Sequence, residues 1–250
     1  MEMRELIPKL CAVPGPSGFE EPIRETIRTL AEPYCDELRT DAMGNLFAFR
    51  RCGVPGAKTL LLDAHMDEIG LIVTGQEKGF LRFSELGGID RRMLPAREVL
   101  VLTEPPLRGV IDTMPPHVLS AEEQEKAVDA EKLFIDVGLS EAAAKARVKP
   151  GTPVVFAADC FALGEGQLCG KAQDDRACCA ILLKILENLA GERLDYDLCL
   201  LFSTQEEVGT RGAVTGAFSI AEAGISFAVL FFGGIAAGLV MGAFALGTIR

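Results

Sequence analysis

Residues 58–65 read KTLLLDAH, and this stretch decides the fold that we predict for the chain. Its apolar residues follow one another without alternation, which is typical of a strand covered on both faces. Residues 195–204, DYDLCLLFST, form a second run of this kind. Helical periodicity is found at residues 2–12 and again at residues 171–191. The pattern predicts an α/β fold in which helices flank a mixed sheet.

A segment with a different residue pattern, from about residue 69 to residue 163, separates the two apolar runs. Short β-like pieces such as GLIVTGQ and REVLVLT alternate with Gly and Pro at spacings of about 8–12 residues, as in a small barrel or sandwich. One charged helical piece, SAEEQEKAV, interrupts them at residues 120–128. We therefore predict a small β-barrel-like domain (69–163) inserted into a discontinuous α/β domain (1–68 and 164–220), followed by an apolar tail (221–250).

The loop VPGPSGFEE, residues 13–21, separates the first predicted helix from the next. Its Pro and Gly residues force a turn. Ser17 and Glu20 have the spacing of a capping box, and the helix that they would begin is predicted to end near Glu32, ahead of a proline.

Composition excludes some classes of protein. The chain has 250 residues, of which 49% are hydrophobic, and a formal net charge of −11. Phosphate binding needs a basic surface, so nucleic acid is not an expected partner. The eight cysteines contain no CxxC pair, and the first residues contain no apolar segment of a secretory signal. Reduced thiols and a cytoplasmic location are therefore expected.

Three short clusters carry the residues suited to chemistry. His65 and Asp67 follow the first apolar run in DAHMDEIG, Asp174 and Asp175 open a helix in KAQDDRA, and QEEVGTRGA begins with a glutamate pair, Glu206–Glu207, after the second run. Each has an ordinary explanation: chance spacing, a helix cap, or a solvated turn. Ligands of open α/β sheets bind at the carboxyl ends of strands, so two clusters are expected on one rim.

Imidazole and carboxylate groups suit zinc, cobalt or manganese. Asp67 is spaced to hold the second ring nitrogen of His65. Of two adjacent glutamates, one suits metal binding and the other suits proton transfer from water. Adjacent glutamates fit a glycosidase poorly, because its two carboxyl groups face each other across the sugar at about 5 Å or more.

Taken in order, PGPSGFE, DAHMDEIG, KAQDDRA and QEEVGTRGA resemble the M42 family of metallo-aminopeptidases, and ELGGIDRRMLP resembles part of the domain inserted in that family. The resemblance covers about residues 1–220. It implies an aminopeptidase-type α/β domain interrupted by a small β domain, and two divalent metal ions, zinc or cobalt. It also implies peptide substrates that lose N-terminal residues, and assembly into large hollow homo-oligomers.

The resemblance assigns roles to matching positions. His65 is implied to bind one metal, Asp174 to bridge both metals, and Glu207 to bind the second. Glu206 is implied to be the general base, and Asp67 to orient His65. Two further residues receive no chemical role, since Asp175 is expected to be a helix-start contact and His117 a structural histidine.

The end of the chain departs from the family pattern. The family supplies an aspartate and a histidine ligand later in the sequence, whereas no Asp, Glu or His follows Glu222 here. Residues 223–249 are uncharged and long enough to span a bilayer. A displaced reading frame or a truncation is the favoured explanation, because the change falls inside a core strand. A membrane is expected as a partner only if this tail is genuine.

Two alternatives to an aminopeptidase remain open at the level of sequence. Under the first alternative, the chain is a non-catalytic protein of the same fold, either a subunit of an assembly or a membrane-tethered binding protein. The second is a glycan hydrolase. Assays of peptide and polysaccharide hydrolysis separate these classes.

Overall fold

A computed structural model describes residues 1–113, 132–222 and 227–231 of the chain, with side chains described for residues 1–113 and 132–217. The chain divides into two compact units. The first unit combines Met1–Glu68 with the described residues from Asp159 onward, and the second is Ile69–Ala158.

The described residues contain five α-helices and thirteen strands. The helices are α1 (Met3–Ala12), α2 (Glu21–Ala31), α3 (Glu141–Arg147), α4 (Gln173–Asn188) and α5 (Arg211–Glu222). The strands are β1 (Glu37–Thr40), β2 (Leu46–Arg50), β3 (Thr59–His65), β4 (Gly70–Glu77), β5 (Phe80–Leu86), β6 (Glu98–Val101), β7 (Leu107–Asp112), β8 (Phe134–Asp136), β9 (Pro153–Phe156), β10 (Phe161–Leu163), β11 (Gln167–Cys169), β12 (Asp197–Ser203) and β13 (Phe227–Phe231).

The first unit contains a five-stranded mixed sheet in the order β1-β2-β12-β3-β13. Strand β3 pairs in parallel with β12 on one side and with β13 on the other, whereas β2 is antiparallel to β12. The register places His65, the last residue of β3, beside Ser203, the last residue of β12. The carboxyl ends of the two most buried strands therefore open at the same edge of the sheet.

Helices α1, α2 and α4 pack with this sheet because each has one apolar face. Helix α4 buries Cys179, Ala180, Leu182, Leu183 and Leu186 in the same core as Leu62, Leu200 and Phe202 of the sheet. The prediction of a mixed α/β sheet with flanking helices is confirmed.

The second unit is a closed barrel with the strand order β4-β5-β8-β7-β6-β9. Alternate residues point inward, as a strand period of two requires, and the core includes Leu71, Val73, Leu81, Val99, Ile111, Ile135 and Val154. The predicted small barrel is thus present. Helix α3 was not predicted; the Ser140 hydroxyl accepts a hydrogen bond from the Ala143 N–H at its start. The predicted helical piece at 120–128 and His117 lie outside the described residues.

The predicted capping box is wrong. Helix α2 starts at Glu21, and Glu20 is its N-cap residue without a side-chain capping bond. Ser17 lies too far ahead of the helix to cap it, and its hydroxyl instead donates to the Asp67 carboxylate at 2.6 Å. A tertiary contact across fifty positions of sequence has replaced the local one.

The apolar tail is described in part. Residues 223–226 and 232–250 lie outside the described residues, whereas Phe227–Phe231 forms β13 along β3. Within the described part of the chain, no helix has both the length and the apolar character that a membrane crossing requires.

Candidate active site

The three predicted clusters meet at the carboxyl edge of the sheet in the first unit. His65 ends β3, Glu206 follows the end of β12, and Asp174 lies in the first turn of α4. The His65 Nε2 atom is 3.2 Å from Asp174 Oδ1 and 3.8 Å from Glu206 Oε2. These contacts join segments of the chain that are more than a hundred residues apart.

Asp67 is the centre of the hydrogen-bond network at this edge. Its side chain is fully buried, and its Oδ1 lies 3.3 Å from His65 Nδ1. The same Oδ1 accepts a hydrogen bond from the Glu206 N–H at 3.0 Å, and Oδ2 accepts from the Glu207 N–H at 3.2 Å and from the Ser17 hydroxyl at 2.6 Å. The carboxylate thus holds the backbone of both glutamates and faces the imidazole of His65, whose Nδ1 also lies 3.2 Å from the Asp67 carbonyl oxygen.

Two residues beside the site have backbone conformations that non-glycine residues seldom adopt. Gln205, directly before the glutamate pair, has φ +54°, and Ala172, two residues before Asp174, has φ +56°. Such conformations persist only where the surroundings impose them. At Gln205 the surroundings include Glu20, whose buried carboxylate accepts the Gln205 N–H at 3.1 Å. Contacts with neighbouring residues, rather than the intrinsic backbone preference of Gln205, therefore fix the loop that presents Glu206.

The helix start at α4 is also irregular. Asp174 and Asp175 have non-helical backbone angles, and the peptide bond between them is cis. The Asp174 side chain is largely exposed, whereas Asp175 is 5% exposed and its Oδ2 has no hydrogen-bond partner among the residues that the structure describes. The two neighbouring aspartates consequently have different surroundings, one open to the site and one enclosed beneath it.

Negative charge accumulates around His65. The pKa of Glu207 is raised to about 7, mainly by burial; the charge of His65 opposes the rise, and the charges of Asp67, Asp174 and Glu206 add to it. Desolvation likewise raises the pKa of Asp175 to about 6 and that of Asp63, below His65 on β3, to about 7. The ring nitrogens of His65 lie within 4 Å of three carboxylates of described residues, those of Asp67, Asp174 and Glu206. A further cation at this edge would relieve the repulsion among them.

The donor atoms suit a divalent metal ion. Imidazole nitrogen and carboxylate oxygen are ligands of zinc and related ions, and two ligands on a tetrahedral ion at about 2.1 Å are about 3.4 Å apart. The 3.2 Å between His65 Nε2 and Asp174 Oδ1 matches that separation. Within residues 1–113 and 132–217, no group of three or more His, Cys, Asp or Glu side chains is arranged so that it could hold a metal ion. The residues present therefore fit a metal ion through one pair of ligands, His65 and Asp174, whose atom types and separation both suit it.

Behind the site lies a buried ionic network that sequence analysis did not find. The Arg176 side chain is fully buried and donates to the backbone carbonyls of Met66, Leu10 and Val13 at 2.5, 2.6 and 3.0 Å. The Lys171 ammonium donates to both oxygens of Glu68, at 2.9 and 2.7 Å. The network ties the end of α1 to the segment that carries His65 and Asp67. Its only signal in the sequence is that Arg176 follows the aspartate pair, which is too common a pattern to be informative.

We expect the His65 imidazole of the metal-free chain to titrate near pH 9. Burial opposes the charged form, but the hydrogen bond and charge of Asp67, together with Asp175 and Glu206, outweigh burial and raise the pKa to about 9. Because the folded pKa exceeds the unfolded value of about 6.5, the stabilisation is complete below that value and is lost as pH rises through 9. Urea unfolding between about pH 6 and pH 10, followed for the wild type and His65→Gln, measures this loss.

The matched control is His117→Gln, since the chain has two histidines. The control is expected to keep the alkaline loss of stability, and His65→Gln is expected to reduce it. An equal loss in the wild type and His65→Gln would contradict the assignment.

A mixed sheet with a histidine and carboxylates at the carboxyl ends of its central strands defines an α/β protein with a ligand site at that edge. Comparison with known proteins is more specific. The sequence model of the M42 glutamyl aminopeptidase family matches residues 44–229. The match extends past residue 220, where the family resemblance was expected to end. The chain belongs to the M42 glutamyl aminopeptidase family.

Individual relatives agree. A putative aminopeptidase of Acetivibrio thermocellus is 35% identical over 221 residues, which are 88% of this chain and 63% of the relative. The solved structure of aminopeptidase APDkam598 from the archaeon Desulfurococcus kamchatkensis is 38% identical with a TM-score of 0.81, over 88% of this chain and 60% of that protein.

A third match is the TET1 peptidase of Pyrococcus horikoshii, described as able to assemble into a tetrahedron or a large octahedral shell. It is 37% identical with a TM-score of 0.78, over 86% of this chain and 65% of that protein. The chain thus spans about three fifths of the length of these relatives.

Proposed function

We propose that this chain provides the site of a metal-dependent aminopeptidase, which removes N-terminal residues from peptides. The observation that carries the proposal is the convergence of three side chains at the carboxyl edge of the sheet, where the carboxylates of Asp174 and Glu206 both lie within 4 Å of His65 Nε2. The family to which the chain belongs and the names of its relatives support the same activity. Because the chain covers only part of those relatives, the activity of the whole protein is itself part of the proposal.

His65, Asp174 and Glu207 are proposed as the metal ligands, with zinc or cobalt as the metals and two as their number. A bound divalent ion supplies Lewis acidity toward water and the peptide carbonyl. The proposed role of Glu206 is to accept a proton from the attacking water. The water oxygen bonds to the first peptide carbonyl carbon, the C–N bond breaks, and Glu206 returns the proton to the leaving amine. Asp67 holds His65 Nδ1 and so keeps Nε2 turned toward the site.

A homo-oligomer is proposed from the relative whose described assemblies are closed shells. A cytoplasmic location remains a prediction from the cysteine content.

The decisive experiment compares an unblocked peptide with its N-acetylated form. Incubated with zinc or cobalt, the purified chain is expected to release the first residue of the unblocked peptide, and chelation is expected to stop the release. Turnover of the acetylated peptide at an equal rate would contradict an aminopeptidase. A folded chain that binds metal but releases nothing would favour the non-catalytic alternative, and metal-independent hydrolysis of carboxymethylcellulose would favour a glycan hydrolase.

A further inference from the structure

Between α1 and α2 lies a loop, residues 13–20, that contacts two segments of the candidate site, the one after β3 and the one after β12. The Gly15 N–H donates to Glu68 Oε1 at 3.1 Å, and the Gly15 carbonyl accepts the Glu68 N–H at 3.1 Å. Pro16 forms a parallel bridge with Glu68. At the other end of the loop, Glu20 accepts the N–H groups of Gly18 and Gln205. The loop is thus fixed to the segment after β3 and to the segment after β12.

No side chain larger than hydrogen fits at Gly15. A Cβ atom there would lie 2.7 Å from Ile23 Cγ2 and 2.9 Å from Arg176 Nη2. Contacts this short do not occur between real side chains without a shift. Close packing therefore gives the loop one position, and that position places the Ser17 hydroxyl against Asp67.

Ser17 is 4% exposed, and its hydroxyl donates to Asp67 Oδ2 at 2.6 Å, the shortest of the four contacts of that carboxylate. A carboxylate accepts about four hydrogen bonds, two at each oxygen. Here Oδ1 faces Glu206 N–H and His65 Nδ1, and Oδ2 faces Glu207 N–H and Ser17. The hydroxyl thus completes the set that fixes the rotation of the carboxylate plane.

We infer that Ser17 is a positioning residue of the candidate site. Through Asp67 it sets the orientation of the His65 ring and of the loop that presents Glu206 and Glu207, and it thereby sets the affinity for metal. This inference rests on the proposed function in so far as a metal binds at His65. Without the hydroxyl, Oδ2 keeps one donor among the described residues, the Glu207 N–H at 3.2 Å, and rotation of the carboxylate would move the groups bonded to it. Loss of a group bonded directly to a metal ligand lowers metal affinity by about 10- to 100-fold; Ser17 acts one bond further out, through Asp67, so the lower end of this range is expected.

The first measurement is Co²⁺ affinity by titration calorimetry of the purified chain. Ser17→Ala is expected to bind Co²⁺ about 10-fold more weakly than the wild type. Ser17→Thr, which restores a hydroxyl, is expected to recover most of that affinity, and Ser17→Cys, a weaker donor of similar size, to fall between them. Ser140→Ala is the matched control, because that hydroxyl caps α3 in the other unit. It is expected to leave Co²⁺ affinity unchanged.

The second measurement does not require activity or metal. Nitrogen-15 spectra of the imidazole rings report on His65 directly, and the His117→Gln variant assigns the signal because the chain has two histidines. In Ser17→Ala the His65 Nδ1–H signal is expected to shift or to exchange faster with water, while Ser140→Ala leaves it in place. If the wild type turns out not to bind Co²⁺, the proposed function fails, and these spectra still decide the role of Ser17.

Two results would overturn the inference. One is an unchanged His65 signal in Ser17→Ala together with Co²⁺ affinity within twofold of the wild type. The other is equal loss in Ser17→Ala and Ser17→Thr, which would mean that the hydroxyl is not the group that matters. If Ser17→Ala does not fold, the comparison of Ser17→Thr with Ser17→Cys decides in the same way, since only the first restores a strong donor.

Discussion

Replacing Glu206 with glutamine is expected to lower kcat for peptide hydrolysis by about 10²- to 10⁴-fold, the usual contribution of a general base. Glutamine keeps the size of the side chain but has no basic oxygen of comparable strength. The backbone N–H of residue 206, which donates to Asp67, is retained in the variant. Initial rates of release from an unblocked peptide, measured at saturating substrate with cobalt or zinc, give the change.

Metal affinity distinguishes the base from a ligand. Glu206→Gln is expected to keep Co²⁺ affinity within a few-fold, whereas Glu207→Gln is expected to lose both affinity and turnover. The control is Glu98→Gln in the barrel unit, where an exposed glutamate pairs with an exposed arginine. A Glu206→Gln variant that retains at least half of the wild-type kcat would exclude this residue as the base.

Replacing Arg176 with methionine is expected to lower the free energy of unfolding by about 3–5 kcal/mol, the range for removing one member of a buried ionic network. The guanidinium lies at 0% exposure, so methionine leaves buried polar partners behind. Urea unfolding followed by circular dichroism measures the change, provided that the transition is two-state.

Most of this loss is expected to come from hydrogen bonds to carbonyls rather than from the ion pair. The distance from Arg176 Nη2 to Glu68 Oε1 is 3.9 Å, and within the described part of the chain Nη2 makes no hydrogen bond. By contrast, the guanidinium donates to three carbonyls, and a hydrogen bond to a charged group contributes about 1.5–3 kcal/mol. Glu68 keeps its bonds to Lys171 and to the Gly15 N–H in the variant.

Arg108→Met is the control for Arg176→Met. Arg108 is 78% exposed and pairs with an exposed glutamate at 3.1 Å. Exposed pairs contribute little, so the expected change is about 0.5 kcal/mol or less. If both variants lost the same stability, burial of the network would not be the reason for its contribution.

The architecture followed from local patterns. The uninterrupted apolar runs indicate β3 and β12, and the regular turn signals indicate the barrel unit. Both signals depend only on the order of consecutive residues, because a strand buried on two faces is apolar throughout and turns recur at regular spacing. The sequence does not indicate helix α3, because its seven residues are too few to show a helical period. Strand β1 is a short edge strand with mostly exposed residues, so it lacks the apolar run that marked the others.

The candidate site was predicted in part. The sequence indicates His65, Asp67 and the glutamate pair because they lie at or just after the ends of buried strands, where ligands of α/β sheets bind. The sequence predicts that Ser17 caps a helix, because only near neighbours can be compared in it. Its partner is Asp67, and the partner of Glu20 is the N–H of Gln205, which lies 185 positions away.

Sequence by itself determined the fold class, the family and the residue types that surround the site, because each of these depends on the order of neighbouring residues. Tertiary structure alone decided which atoms meet. The left-handed backbone at Gln205, the enclosure of Asp175 and the four donors on Asp67 arise where distant segments pack together. No periodicity records such contacts, since a hydrogen bond depends on separation in space and not on separation along the chain.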